Sequence, residues 1–127
     1  RYADLVKSEL HYTSKYQRDE LRIKKALLFI EMNYGNAITI EDIADSAGVS
    51  VSSCLRLFSS IIGNTPIRYL VRFRLQKAAE EFQRKSERTI AETVYSCGFA
   101  DASYFNRCFR KEYGMTPSEF IAKHRMP

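Results

Sequence analysis

Thr39-Ile40-Glu41-Asp42-Ile43-Ala44-Asp45-Ser46-Ala47-Gly48-Val49-Ser50 is the stretch that decides the fold. Thr39 stands where it can cap a helix, with Asp42 at N3 to return the bond and Ile38 and Ile43 spaced as a hydrophobic staple. Gly48 suits the left-handed position just past a helix end, and Ser50 is placed to cap a second helix. Fifty residues on, the pattern returns. Thr89-Ile90-Ala91-Glu92, Gly98-Phe99, Arg107, Phe109, Gly114 and Thr116-Pro117 echo Thr39-Ile40-Glu41-Asp42, Gly48-Val49, Arg56, Phe58, Gly63 and Thr65-Pro66. The offset is 50 up to the first glycine and 51 from Arg56 onward. A period this long marks a repeated supersecondary unit, and two copies are too few for a solenoid.

Working outward, helical spacing is everywhere and two-residue alternation is not sustained. Asp19–Tyr34 puts Ile23, Leu27, Ile30 and Tyr34 on one stripe. The helix capped by Ser50 is expected to run to Ile62 and stop at Gly63-Asn64. Pro66 sits at the first position of a longer helix, where its missing N–H costs nothing. That helix ends at Gln83 and carries Ile67, Leu70, Val71, Leu75, Ala78, Ala79 and Phe82 as its inward stripe. Eighteen residues make a rod about 27 Å long. Thr89 with Glu92 and Thr116 with Glu119 read as further capping boxes, and Asp101 as the cap of a helix over 101–113. The fold class is therefore all-α. Residues 1–18, with Tyr2, Leu5, Val6 and Leu10, read as an amphipathic turn or two or as a linker or tail.

Composition bounds the function. The chain has 127 residues, 45% apolar and 28% charged. No apolar run approaches the roughly 20 residues of a membrane span, so no membrane partner is expected. Cys54, Cys97 and Cys108 form no metal-ligand spacing, and an odd cysteine count suits a reducing cytoplasm. They are expected to be small buried hydrophobes, and His11 and His124 have no partner at ligand spacing. Tyr95, Tyr104 and Tyr113 read as core and rim packing. No nucleophile–base pair, phosphate loop or metal cluster appears, so neither an enzyme nor a cofactor is expected. The net charge of +5 is uneven: residues 35–67 carry one basic and three acidic side chains, residues 68–127 twelve and seven. A basic half favours polyanionic partners.

Each repeat is thus a helix, a glycine turn and a second helix, an arrangement whose second helix can enter the major groove of duplex DNA. In the first copy Cys54, Leu57, Phe58 and Ile61 form the inward stripe, leaving Ser52, Leu55, Arg56 and Ser59 outside. In the second, Phe105, Cys108 and Phe109 face in, and Ser103, Asn106, Arg107 and Arg110 face out. Arg at the equivalent place in both copies can bridge O6 and N7 of guanine, Asn106 can pair with adenine, and Leu55 offers only apolar contact. Ser52, Leu55, Arg56, Ser103, Asn106 and Arg107 are the candidate base readers; Ser50, Arg110, Lys111 and Thr116 are the candidate phosphate contacts. Arg68, Arg72 and Arg74 on the long helix can touch phosphate or pair with Glu80 and Glu81, and the second is expected for most of them.

At Ile38-Thr39-Ile40-Glu41-Asp42-Ile43-Ala44, Gly63-Asn64-Thr65-Pro66 and Cys97-Gly98-Phe99-Ala100-Asp101 the chain resembles the DNA-binding domain of the AraC family of bacterial transcription regulators. The resemblance is strongest from Ser103-Tyr104-Phe105-Asn106-Arg107 through Phe109-Arg110-Lys111 to Gly114-Met115-Thr116-Pro117. It implies a seven-helix, homeodomain-like domain: two helix-turn-helix subdomains joined by the long fourth helix, reading successive major grooves with helices at 50–62 and 101–113. It further implies an activator that contacts RNA polymerase, with an upstream effector or dimerisation domain, working in the cytoplasm and nucleoid-associated when bound. The corresponding division is 1–18 tail, 19–64 first subdomain, 65–84 linker helix and 85–127 second subdomain. Ser59-Ser60 depart from the family's usual basic residues, which implies a weak phosphate grip in the first subdomain. Thr93 and Val94 replace the usual Ile and Ala, which implies a changed offset between helices five and six. The rival reading is a helical protein–protein interaction module that has lost DNA affinity, to which the acidic first copy lends credit.

Overall fold

A computed structural model describes residues 2–84 and 87–125, with side chains from residue 14 onward. Among the described residues there are seven α-helices and no strand. They are α1 (Tyr2–Asn33), α2 (Ile40–Ser46), α3 (Val51–Leu57), α4 (Pro66–Gln83), α5 (Ile90–Ser96), α6 (Ala102–Tyr113) and α7 (Pro117–Arg125). The chain divides into two compact units: α1 through Met32 with Thr39–Pro66, and Asn33–Ile38 with the chain from Ile67 onward.

In the first unit, α1 does not begin at Asp19 but runs unbroken from Tyr2. No Gly or Pro interrupts residues 2–18, so nothing there stops propagation of a helix. The side chains of Tyr2, Leu5, Val6, Leu10 and His11 lie outside the described residues. Ile23, Ala26 and Ile30 are buried at i, i+3 and i+7, while Tyr34 has already left the helix for the turn at Gly35. The cap of α2 is as expected: Asp42 N–H donates to Thr39 Oγ1 at 3.2 Å and Thr39 N–H to Asp42 Oδ2 at 2.9 Å. Beyond Leu57, α3 widens into a π-helical turn, Phe58–Ile62, closed by Gly63 N–H donating to the Phe58 carbonyl at 2.8 Å. An i→i+5 turn advances less per residue than an α turn. Ile61, expected inside, is consequently 45% exposed, while Phe58 stays fully buried.

The second unit has its own core. Leu75, Ala78, Ala79 and Phe82 of α4 meet Val94, Cys97, Phe99, Phe105, Phe109 and Phe120. Several rings meet edge to face, Phe82 on Phe109 at 5.6 Å and Phe109 on Phe120 at 5.3 Å, the arrangement favoured by the ring quadrupole. Thr93 and Val94 are both buried, which puts them in the α5 core. Ile67 is the departure from the expected stripe; one residue into α4, it is exposed.

The long helix is anchored by arginines whose partners are distant in sequence. Arg74 donates to the carbonyls of Tyr34 and Asn36 at 2.7 and 2.8 Å, satisfying groups left over where α1 ends. Arg125, in the last turn of α7, donates to the carbonyls of Phe82 and Arg84 and so closes the end of α4. Arg72 pairs with Glu112 at 3.1 Å. Glu80 and Glu81, the expected partners of the α4 arginines, instead meet Lys77 and Arg84. The capping boxes of α5 and α7 are half-formed. Thr89 and Thr116 accept from the N–H of Glu92 and Glu119. The two carboxylates, however, turn to the threonine hydroxyls.

Candidate nucleic-acid interface

The two copies of the motif present their second helices in the same way. In the first unit, Ser50 caps α3 by accepting from Ser53 N–H at 3.1 Å. Cys54 and Leu57 anchor the inner side, leaving Ser52, Leu55 and Arg56 exposed. Arg56 has no hydrogen-bond or ion-pair partner among the described residues. Leu55, 43% exposed, is an apolar spot beside it.

In the second unit, Asp101 caps α6 by accepting from Ser103 N–H at 2.8 Å. Phe105 and Phe109 are fully buried and fix the roll of the helix, so Ser103, Asn106, Arg107 and Arg110 face solvent. Asn106, Arg107, Arg110 and Thr116 all line one open cleft of about 380 Å³, with Ile90, Pro117 and Ser118. Here the fold brings together four of the expected site residues. Lys111, exposed, carries a further positive charge at the end of α6. A second cleft in this unit, about 450 Å³ and lined by Glu80, Tyr113, Lys123 and His124 among others, gathers no paired guanidinium groups.

Two of the expected phosphate contacts are already engaged. The Thr116 hydroxyl donates to the Glu119 carboxylate at 2.9 Å, and the Ser50 hydroxyl donates to Ser53 at 3.1 Å. A phosphate at either place would be met by main-chain N–H groups of the first helical turn rather than by the hydroxyl.

Tyr104, expected in core or rim packing, stands instead beside Arg107. It is 43% exposed, with its ring centroid 5.8 Å from the Arg107 guanidinium. Hydrogen bonding to Cys108 first, and burial second, hold its phenol above the usual value. The spacing of an aromatic three residues before Arg107 was the signal that could have shown it. Tyr95, expected in core or rim, is 76% exposed. Cys54 and Cys97 are buried as expected, burial raising both thiol pKa values, while Cys108 is only half-buried. Among the described residues no group of side chains could hold a metal ion, and no helix is long and apolar enough to cross a membrane.

A pair of helix-turn-helix units, each offering an unpaired arginine from its second helix, defines a DNA-binding module. Residues 43–123 match the family model described as a helix-turn-helix domain. The chain is 34% identical over 112 residues to YdeC, an HTH-type transcriptional regulator of Bacillus subtilis, covering 88% of this chain and 38% of that protein. It is 34% identical over 103 residues to the transcriptional activator RhaS of Escherichia fergusonii, covering 81% and 37%. Among solved structures, an AraC-type DNA-binding regulator from Chromobacterium violaceum superposes with a TM-score of 0.77 at 28% identity, over 84% of this chain and 94% of that one. The DNA-binding domain of AdpA, solved with a target DNA, shares the fold at a TM-score of 0.73 and 23% identity, over 83% of this chain and 93% of that one. The chain belongs to the AraC family, as a DNA-binding domain of its transcription regulators. It spans a little over a third of the length of the curated relatives it matches.

Proposed function

We propose that the chain reads two successive major-groove segments of double-stranded DNA, α3 contributing Ser52, Leu55 and Arg56, and α6 contributing Ser103, Asn106 and Arg107. Arg110 and Lys111, with the first-turn N–H groups beyond Ser50 and Thr116, take the phosphates. With both readers on one chain, a monomer can occupy an asymmetric site. The observation that carries this reading is the pair of exposed arginines, Arg56 and Arg107, at matching positions of a duplicated helix, with no carboxylate on either among the described residues. In the whole protein we assign transcription activation to contact with RNA polymerase, and effector binding or dimerisation to a separate domain. The working compartment is the bacterial cytoplasm, at the nucleoid when bound.

Selecting duplexes from a random pool tests this. Arg107→Ala is expected to cost about 1–3 kcal/mol and relax preference at one base pair; Arg56→Ala should relax a different one, about a helical turn away. A loss spread evenly over all sequences would reduce both to phosphate contacts. An interaction module without DNA affinity would instead bind random duplexes weakly, with no steep fall as salt rises.

A further inference from the structure

We infer that Tyr104 is the positioning residue for Arg107: its ring face seats the guanidinium of the second base reader before DNA arrives. The inference rests on Arg107 being a base reader.

Arg107 has the Tyr104 ring 5.8 Å away and no hydrogen-bond or ion-pair partner among the described residues. A guanidinium with no support samples many rotamers, and fixing one on binding opposes affinity. A ring face attracts the cation without consuming its N–H donors, so all of them remain for a base. The ring is itself held: Phe99, buried in the core, lies 6.2 Å from it, centroid to centroid, at a tilt of 48°. The core of the second unit therefore reaches the tip of the reader through Phe99 and Tyr104.

The first copy lacks this device. At the offset of 51, the counterpart of Tyr104 is Ser53, whose hydroxyl accepts from Ser50. Among the described residues no aromatic ring lies against Arg56. The same arginine is thus supported in one copy and unsupported in the other, and the second subdomain should discriminate more sharply at its base pair.

The test uses the 127-residue chain and a duplex selected by it, with all four base pairs substituted at the position most sensitive to Arg107→Ala. Tyr104→Leu and Tyr104→Gln both remove the ring at an exposed position, so a folding defect in one, seen by thermal melting, leaves the other. Each is expected to lower discrimination at that base pair about two- to fivefold. Tyr104→Phe, which keeps the ring face, should retain it. In an Arg107→Ala background, Tyr104→Leu should change nothing further. Undiminished discrimination in the Leu and Gln variants overturns the inference. So does a loss that persists without Arg107, because the ring then touches DNA directly. If Arg107→Ala itself leaves base preference intact, the base-reading assignment has failed and the positioning role falls with it.

Discussion

Gly48 and Gly98 hold the same place in the two repeats, and alanine at each should cost very different amounts. Both have left-handed backbone, with φ of +69° and +93°. An L side chain in that region costs about 1–2 kcal/mol. At Gly48 nothing lies within 4 Å of where a Cβ would stand, so the strain is the whole cost. At Gly98 the same atom would stand 2.3 Å from the Tyr34 carbonyl oxygen and 2.7 Å from Arg74 Nε. Those two groups are hydrogen-bonded to each other, and Arg74 also holds Asn36. Making room means moving a main-chain carbonyl or breaking charge-assisted bonds worth about 1.5–3 kcal/mol each. We expect about 1–2 kcal/mol for Gly48→Ala and about 3–6 kcal/mol for Gly98→Ala. Urea unfolding followed by far-ultraviolet circular dichroism reads both, each from the transition of the unit that carries it, as midpoint shifts at unchanged slope. Arg74→Met should shrink the Gly98→Ala penalty without abolishing it, because the Tyr34 carbonyl remains; the coupling is read from the double mutant. Equal costs at the two glycines, within about 0.5 kcal/mol, would refute the reasoning.

Thr39→Ala should cost about 1 kcal/mol, since it removes a reciprocal cap, and a melt that shows no change would mean the α2 cap is redundant. Burial holds the Cys54 and Cys97 thiols protonated beyond their usual range. The unfolded chain therefore releases those protons first, so stability is full below about pH 8.5 and falls as pH rises through the raised folded values. Urea midpoints between pH 7 and pH 10 should decline, and Cys97→Ala should flatten that decline. Arg110→Ala should weaken binding evenly across sequences and lower the salt slope by about 1; a change in base preference would move Arg110 into the reading set.

What the sequence determined by itself is what lies within one helical turn of its cause. Thr39 and Asp42 are three residues apart, so the cap of α2 was legible, as were Ser50, Asp101 and the glycine ends. The 3.6-residue spacing of Phe105 and Phe109 fixed which side of α6 turns inward, and with it the exposure of Asn106 and Arg107. The tertiary structure alone decided the rest. Arg74 on Tyr34, Arg72 on Glu112 and Arg125 on Phe82 each join residues about forty apart. A long side chain can satisfy any acceptor within reach, so nearby Glu80 and Glu81 were the reasonable expectation until packing put other groups closer. The π turn at Phe58–Ile62 and the exposure of Ile61 belong with these. No residue spacing marks where an α-helix widens into an i→i+5 turn, so the bond from Gly63 N–H to the Phe58 carbonyl appears only in the folded chain.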